Sequence, residues 1–507
     1  MLITYRLVNL IIFTYTDSGI LINLMIDGAI MKLVRTRFAP SPTGFVHVGS
    51  LRTALYNYLF AKHNNGDFIL RIEDTDQSRT VKGAIDNIIN ALSWANIMPD
   101  EGPEIGGPYS PYLQSERLPL YQKHAHQLVK EGKAYYCTCS PERLERVRER
   151  QIAAKQPPSY DRHCRDINLK PKEGEPYVIR MKVPRHGDVT FHDLIRGDVT
   201  IGYRTVDDQV ILKSDGFPTY HLAVVVDDHY MKISHVIRGE EWISSMPKHI
   251  LLYEYFGWEM PLHAHLPLLL NPDRSKLSKR QGDVAVEDFR AKGYLPQVLI
   301  NFVALLGWNP GDTREIFFMD DLIKEFTLKR VGKSGAIFDV DKLNWLNEQH
   351  IRLKSDEELL AMLRPIVDER EFSKVDDLYL LHVIQLLKER VVFVHDFVDR
   401  YRYFFEDPTS YDETAAAKWW TKETTKQLHL FTDRCAPLPV FDAAMIEKVI
   451  RDQAAEQNIS ASKIIHPLRL AVSGVTVGPS LFHMLEILGK EVVLPRVYKV
   501  VELIEGF

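Results

Sequence analysis

The hydrophobic positions of this chain change period along its length, and the changes divide it. Leu33-Val34-Arg35-Thr36-Arg37-Phe38-Ala39 predicts a buried strand, and a loop rich in proline and glycine follows from Pro40 to Gly49. Leu51, Leu55, Tyr58 and Leu59 then recur at helical spacing, which predicts a helix from about Leu51 to Lys62. A second strand, Asp67 to Ile72, ends in the acidic turn Glu73-Asp74-Thr75-Asp76. Strand, loop, helix and strand in this order open a doubly wound α/β sheet, whose ligands gather at the carboxyl ends of the strands. Residues 137–210 interrupt the pattern with three cysteines, a charged helix from Pro141 to about Lys155 and short alternating strands, as an inserted subdomain would. The α/β pattern resumes at Val210–Asp215 and runs through Tyr220–Asp228 to Val236–Trp242. From about residue 320 the helical period dominates, and glycine is sparse until Gly474. No internal repeat and no low-complexity tract is present.

The first thirty residues are apolar but broken by Asn9, Thr14, Thr16, Asp17, Asn23 and Asp27, which argues against a membrane span. Arg6 alone is too little for a signal peptide. Met31 stands just before the first motif, so residues 1–30 are read as an extension, disordered or frayed, or as the product of a start placed too early. No other stretch resembles a membrane segment.

At 507 residues the chain is expected to hold about two to four domains. Its 45% hydrophobic and 26% charged residues are those of a globular protein without bias to disorder. A net charge of -5 excludes a chain coated in basic residues, yet leaves room for a local basic stripe facing nucleic acid. Four cysteines in such a length make no disulfide framework and point to a reducing compartment.

Two loops carry candidate chemistry. In Pro40-Ser41-Pro42-Thr43-Gly44-Phe45-Val46-His47-Val48-Gly49-Ser50, two prolines stiffen the turn while Gly44 and Gly49 let the backbone approach a ligand. His47 stands at a helix N-terminus, where free N–H groups and the helix dipole favour phosphate. The second loop, Asn271 to Arg280, places Lys276, Ser278 and Lys279 on a polar segment after an apolar run. It forms a cationic clamp able to hold a triphosphate and stabilise a leaving pyrophosphate. Alone, the first loop reads as a helix-capping histidine and the second as a solvated charge run.

Together they pair an H-x-G loop with a K-x-S-K loop, and the flanking residues narrow the comparison. Arg37–Gly44, Arg71–Asp76, Lys213–His221 and Val236–Trp242 closely resemble the glutamyl-tRNA synthetases of bacterial type, within the class I aminoacyl-tRNA synthetases. The resemblance runs from Met31 to the C-terminus, where His466-Pro467-Leu468-Arg469 and Leu488-Gly489-Lys490-Glu491 also fit. Two positions depart from the general class pattern: Ser50 stands where the first motif ends in histidine, and Arg280 where the second ends in serine.

The resemblance implies an α/β fold: a Rossmann-type doubly wound catalytic domain in two halves, residues 31–136 and 211–285. An acceptor-binding insertion at 137–210 would divide them, with a stem-contact helical region at 286–350 and a mostly α-helical anticodon-binding part at 351–507. It implies a glutamate–tRNA ligase that consumes ATP with Mg²⁺. Pro40, Gly44, His47, Gly49, Lys276, Ser278 and Lys279 would meet ATP, with His47 and Lys279 stabilising the developing charge. Glutamate would be held by Arg37, Ala39, Ser41, Glu73, Tyr220 and Arg238: a guanidinium for the side-chain carboxylate, Glu73 for the α-ammonium. The expected partners are the glutamate tRNA, with the glutamine tRNA as a second candidate, and L-glutamate; the protein is expected as a cytoplasmic monomer. Arg143–Arg150, Lys388 and Arg390 are candidate tRNA contacts, the last two on an amphipathic helix near 378–396.

Cys137-Thr138-Cys139 and the distant Cys164 suit a structural, tetrahedral Zn²⁺, against the alternative of three small buried residues without a metal. Asp166, Tyr160 and His163 compete as fourth ligand. The resemblance favours Asp166, which sits where relatives have a histidine, with Tyr160 as the alternative.

Overall fold

The structure is a computed structural model. It describes the backbone of residues 10–16, 19–26 and 29–31, and backbone with side chains for 33–277, 284–370, 372 and 375–505. Ser278 and Lys279 therefore lie outside the described residues. The chain forms two compact units, Met1–Val340 and Asp341–Phe507. The boundary falls ten residues before the expected one, within the helix that begins at Val340.

The N-terminal extension, expected without regular structure, runs as an antiparallel meander of β1 (Leu10–Thr16), β2 (Gly19–Ile26) and β3 (Ala29–Met31). The α/β part begins at β4 (Arg35–Phe38), passes through α1 (Val48–His63) and returns as β5 (Asp67–Leu70), parallel to β4 with Arg37 opposite Ile69. All four β4 residues are buried, as a strand covered on both faces must be. Helices α2 (Ala84–Trp94) and α3 (Leu118–Lys130) follow.

The insertion contains β6 (Ala134–Cys137), the exposed charged helix α4 (Pro141–Ala153), β7 (Val178–Met181), β8 (Asp188–Asp193), β9 (Gly197–Gly202) and β10 (Val210–Leu212). Strands β6, β7 and β10 make one antiparallel sheet. The β8–β9 hairpin instead joins the sheet of the surrounding α/β unit, because β8 runs parallel to β12 (Leu262–Leu266) through His263 and Asp193. The predicted insertion thus shares a sheet with the domain it interrupts.

Helix α5 (Tyr220–Tyr230) contains Ala223-Val224-Val225-Val226, a composition that suits strands. Leu222 through Asp228 are buried all round, which explains why no amphipathic period marks this helix. β11 (His235–Gly239) and α6 (Met246–Phe256) lead to β12, and β11 pairs parallel with β12. The remainder of the unit holds β13 (Leu269–Leu270), α7 (Val286–Ala291), α8 (Pro296–Leu305), α9 (Met319–Glu325) and β14 (Ala336–Ile337), with β13 and β14 parallel.

The second unit is built from helices α10 (Val340–Leu353), α11 (Asp356–Glu369), α12 (Asp377–Leu387), α13 (Asp396–Asp399), α14 (Glu413–Trp419), α15 (Lys422–Cys435), α16 (Ala443–Glu456), α17 (Ser462–Ser473), α18 (Leu481–Leu488) and α19 (Lys490–Glu505). No strand occurs there among the described residues. Ser355 and Glu358 close a reciprocal capping box that starts α11, at 3.1 and 2.8 Å. The buried Arg496 ties the unit together by donating to the carbonyls of Tyr403, Val472 and Glu406 and to Asp407. The helix expected over 378–396 stops at Leu387, and Lys388–Arg390 form a 3₁₀ turn. Asp396 accepts the backbone N–H groups of Val392 and Phe393 and so fixes the chain that leaves this turn. Among the described residues, no helix is long and apolar enough to cross a membrane.

Candidate active site and thiol cluster

The carboxyl ends of β4, β5 and β11 open into a cavity of about 900 Å³. Arg37, Ala39, Pro40, Ser41, Gly44, His47, Gly49, Glu73, Tyr220, Arg238 and Lys276 all line it, so eleven residues expected at the site face one space. The loop between β4 and α1 is pinned from below. The Pro40 carbonyl accepts the Glu73 N–H at 3.0 Å, and the Pro42 carbonyl accepts the Val81 N–H at 2.9 Å.

His47 caps α1. Its Nδ1 accepts the N–H groups of Gly49 and Ser50 at 3.1 and 3.3 Å. In the neutral ring that leaves Nε2 as the donor, and Nε2 lies 3.1 Å from Ser50 Oγ. A side chain at Gly49 would place its Cβ 3.0 Å from His47 Cε1, so the glycine is what lets the ring fold over the helix end. The imidazole is exposed and lines the cavity at the N-terminus of α1, the end of a helix that attracts an anion.

Beneath the cavity lies a ladder of buried charge that sequence reading did not assign. Asp228, at the end of α5, holds Arg37 Nε at 3.2 Å and Arg71 Nη1 at 2.7 Å. Arg71 reaches on to Glu73 Oε1 at 3.0 Å. Asp227 accepts from Arg117 at 2.8 Å, Gln114 at 2.9 Å and Tyr121 at 2.7 Å. Burial works against ionisation of Asp228, but the Arg37 and Arg71 guanidiniums overcome it and hold its carboxyl below the usual range. Glu73 goes the other way: burial raises its pKa, and Arg71 and Arg37 offset this only in part. Arg71 stands inside a recognised motif and Asp228 outside all of them, and their pairing joins positions 157 residues apart and leaves no local signature.

Arg238, on β11, has a different setting. It donates to Tyr220 Oη at 3.1 Å, to His265 Nε2 at 3.2 Å and to His249 Nδ1 at 3.3 Å, with Met246 Sδ at 3.1 Å. Trp242 stacks obliquely on Tyr220, ring centres 4.3 Å apart, and closes that wall.

In the insertion, the Sγ atoms of Cys137, Cys139 and Cys164 lie within 4.8 Å of one another. The Tyr160 hydroxyl is 3.4 Å from Cys137 Sγ and 3.7 Å from Cys139 Sγ, and also accepts the Cys164 N–H at 3.0 Å. Arg180 lies over the Tyr160 ring at 3.7 Å, and Arg143 Nη1 donates to Cys139 Sγ at 3.5 Å, so positive charge surrounds the thiols. Three thiols and one hydroxyl in a nearly closed group fit the donor set of a tetrahedral structural zinc. Asp166 is not brought there: its exposed carboxylate pairs with Arg185 at 2.8 Å, and His163 is exposed as well.

Of the two expected anticodon contacts, Arg390 is exposed, whereas Lys388 Nζ is engaged by the Lys354 carbonyl and by Asp356 Oδ1 at 3.2 Å. In the same unit Tyr403 Oη and Arg469 Nη1 are buried without a hydrogen-bond partner.

Residues 33–345 match the family model described as tRNA synthetases class I (E and Q), catalytic domain, and residues 358–501 match an anticodon binding domain. A glutamate–tRNA ligase of Chloroherpeton thalassium is 52% identical, over 93% of this chain and 98% of its own length. One of Pelodictyon phaeoclathratiforme is 54% identical over 92% and 97%. The crystal structure of a glutamate tRNA ligase from Elizabethkingia meningosepticum in complex with its amino acid superposes with a TM-score of 0.88 at 42% identity, covering 93% of this chain and 99% of that one. On these matches, and on the two loops that meet in one cavity, the chain belongs to the class I tRNA synthetases of the glutamate and glutamine group.

Proposed function

We propose that the chain is a glutamate–tRNA ligase, activating L-glutamate with ATP and esterifying it to the 3′ end of the glutamate tRNA. The carrying observation is that Arg37, Arg238 and Glu73, among the charged residues lining one cavity, share it with the capped N-terminus of α1. That set matches a substrate with two carboxylates and one ammonium beside a polyphosphate. Arg37, set in place by Asp228, meets the side-chain carboxylate with Ser41 near it, and Arg238 takes a second anionic contact. Glu73, anchored by Arg71, takes the α-ammonium, and Tyr220 closes the pocket.

The α-carboxylate then attacks the α-phosphorus of ATP. A carboxyl-oxygen–phosphorus bond forms, the bond to the bridging oxygen breaks, and pyrophosphate leaves. A hydroxyl of the 3′-terminal ribose of tRNA next attacks the glutamyl carbonyl; the bond from that carbon to the phosphate oxygen breaks, and AMP leaves as the hydroxyl gives up its proton. No protein nucleophile takes part: His47 Nε2–H and the α1 N-terminus stabilise charge on the phosphates, with Lys276 and Lys279 from the second loop. ATP would bind as its Mg²⁺ complex, in which the ion would supply Lewis-acid neutralisation of phosphate charge. Cys137, Cys139, Cys164 and Tyr160 would hold zinc, which would brace the insertion at the base of α4 and leave the reaction to the catalytic half.

Glutamate over glutamine specificity is supported by the relatives, which are glutamate–tRNA ligases matched along nearly their whole length. The test is aminoacylation with radiolabelled glutamate and purified glutamate and glutamine tRNAs, each present from the start. Charging of the glutamate tRNA is expected; charging of neither would overturn the proposal.

A further inference from the structure

We propose that His249 and His265 are positioning residues for the substrate, holding Arg238 through neutral ring nitrogens so that its positive charge stays available to the substrate carboxylate. The inference rests on Arg238 being a substrate-binding residue, and goes beyond that reading by explaining why its partners are imidazoles.

Three other buried arginines in or beneath the cavity are tied to carboxylates, while Arg52 donates to the carbonyls of Leu306 and Pro267. Arg37 pairs with Asp228, Arg71 with Asp228 and Glu73, and Arg117 with Asp227. Arg238 is 5% exposed and has no carboxylate partner among the described residues. A guanidinium only donates, so each ring nitrogen it meets must offer a lone pair. That requirement fixes both tautomers. If His265 Nε2 accepts from Arg238, its proton is on Nδ1, which lies 2.6 Å from Asp193 Oδ2. Asp193 is itself held by the N–H groups of Ile195 at 3.0 Å and Arg196 at 2.9 Å, as an ionised acceptor would be. If His249 Nδ1 accepts from Arg238, its proton is on Nε2, which lies 3.0 Å from His221 Nδ1. Both chains of donors and acceptors close without conflict.

The surroundings favour neutral rings. His265 is fully buried and His249 is 2% exposed. Burial pushes both imidazoles below the usual histidine range, and Arg238, His221 and Lys248 near His249 and Arg196 near His265 act the same way; only Asp193 opposes them. Two neutral acceptors from α6 and β12 thus fix the guanidinium geometrically, as Asp228 fixes Arg37, but without an anion that would compete with the substrate.

The test compares two variants of equal length at one position. H249Q keeps a neutral acceptor and should keep the KM for glutamate within about threefold of the native enzyme, whereas H249E supplies an anion to Arg238 and should raise it at least about tenfold. The KM for ATP should move in neither by more than about threefold. Equal glutamate KM values in H249Q and H249E would overturn the proposal. Tautomers read on the native enzyme by ¹⁵N imidazole NMR at neutral pH keep the proposal falsifiable even if H249E fails to fold. Nδ1–H on His265 and Nε2–H on His249 are expected; an imidazolium or the opposite tautomer at either ring would overturn it. R238Q separates the underlying reading: an unchanged KM for glutamate there would remove Arg238 from the substrate site altogether.

Discussion

Glu73 carries its charge in a place that disfavours one, and this has two consequences of opposite sign. Its folded pKa is raised by burial, which the Arg71 and Arg37 guanidiniums offset only in part, so its share of folding stability is full below the ordinary glutamate pKa and is lost as pH rises through the folded value. E73Q should therefore be at least as stable as the native protein at neutral pH, by urea titration. Binding runs the other way: acidification neutralises Glu73 above the ordinary glutamate range and removes the partner of the substrate ammonium. A plot of log KM for glutamate against pH should rise on that acid side. E73Q should lack this limb and show a KM raised by roughly tenfold to a hundredfold at neutral pH. An acid limb of the same position in E73Q would assign the titration elsewhere. Lys279 is the other residue whose role can be isolated. K279A should keep native thermal stability and lose pyrophosphate exchange by roughly a hundredfold or more, and near-normal exchange would remove it from the transition state.

At the level of elements, the first turn of α1 is tight because His47 lies over it. G49A should push the ring off the helix end, since the added carbon would stand 3.0 Å from it. The expected result is an ATP–pyrophosphate exchange rate down about tenfold, with stability changed by about 1 kcal/mol or less, as for the loss of one cap. Unchanged exchange would show that the ring position is immaterial. The insertion makes a comparable test. In protein purified without a histidine tag, metal analysis should find about one zinc per chain, retained in D166A and lost in C139A. Zinc lost in D166A would restore the aspartate as the ligand. The contrast also shows what was legible in advance. His47, Gly49 and the Cys137–Cys139 pair announce themselves because each motif is closed within a few residues, and α1 because its apolar face repeats. Resemblance prefers Asp166 to Tyr160 as fourth ligand, whereas the structure turns Tyr160 to the thiols and Asp166 to Arg185, because spacing does not say which side chain turns inward. Asp228 left no mark because α5 is buried all round from Leu222 to Asp228, and His249 and His265 left none because their partner Arg238 comes from another element. The 3₁₀ turn at Lys388–Arg390 was read through as helix because it keeps nearly the same period.

On the scale of the molecule, each unit encloses its own core: a mixed α/β core before Val340, and one of helices after it. Heating should therefore give more than one calorimetric transition, and a single one with equal calorimetric and van't Hoff enthalpies would argue against separate cores. The ladder under the cavity has a further consequence, for the order of synthesis. Arg37 and its carboxylate partner Asp228 are 191 positions apart, with the whole insertion between them. At roughly 5–20 residues per second, a ribosome needs about ten to forty seconds to cover that interval. Throughout it Arg37 and Arg71 have no Asp228 to hold them, and the first strand, loop and helix exist without a binding site. A growing chain thus cannot capture the amino acid it will later activate, and assembly of the pocket reports that the insertion has already been made and threaded back.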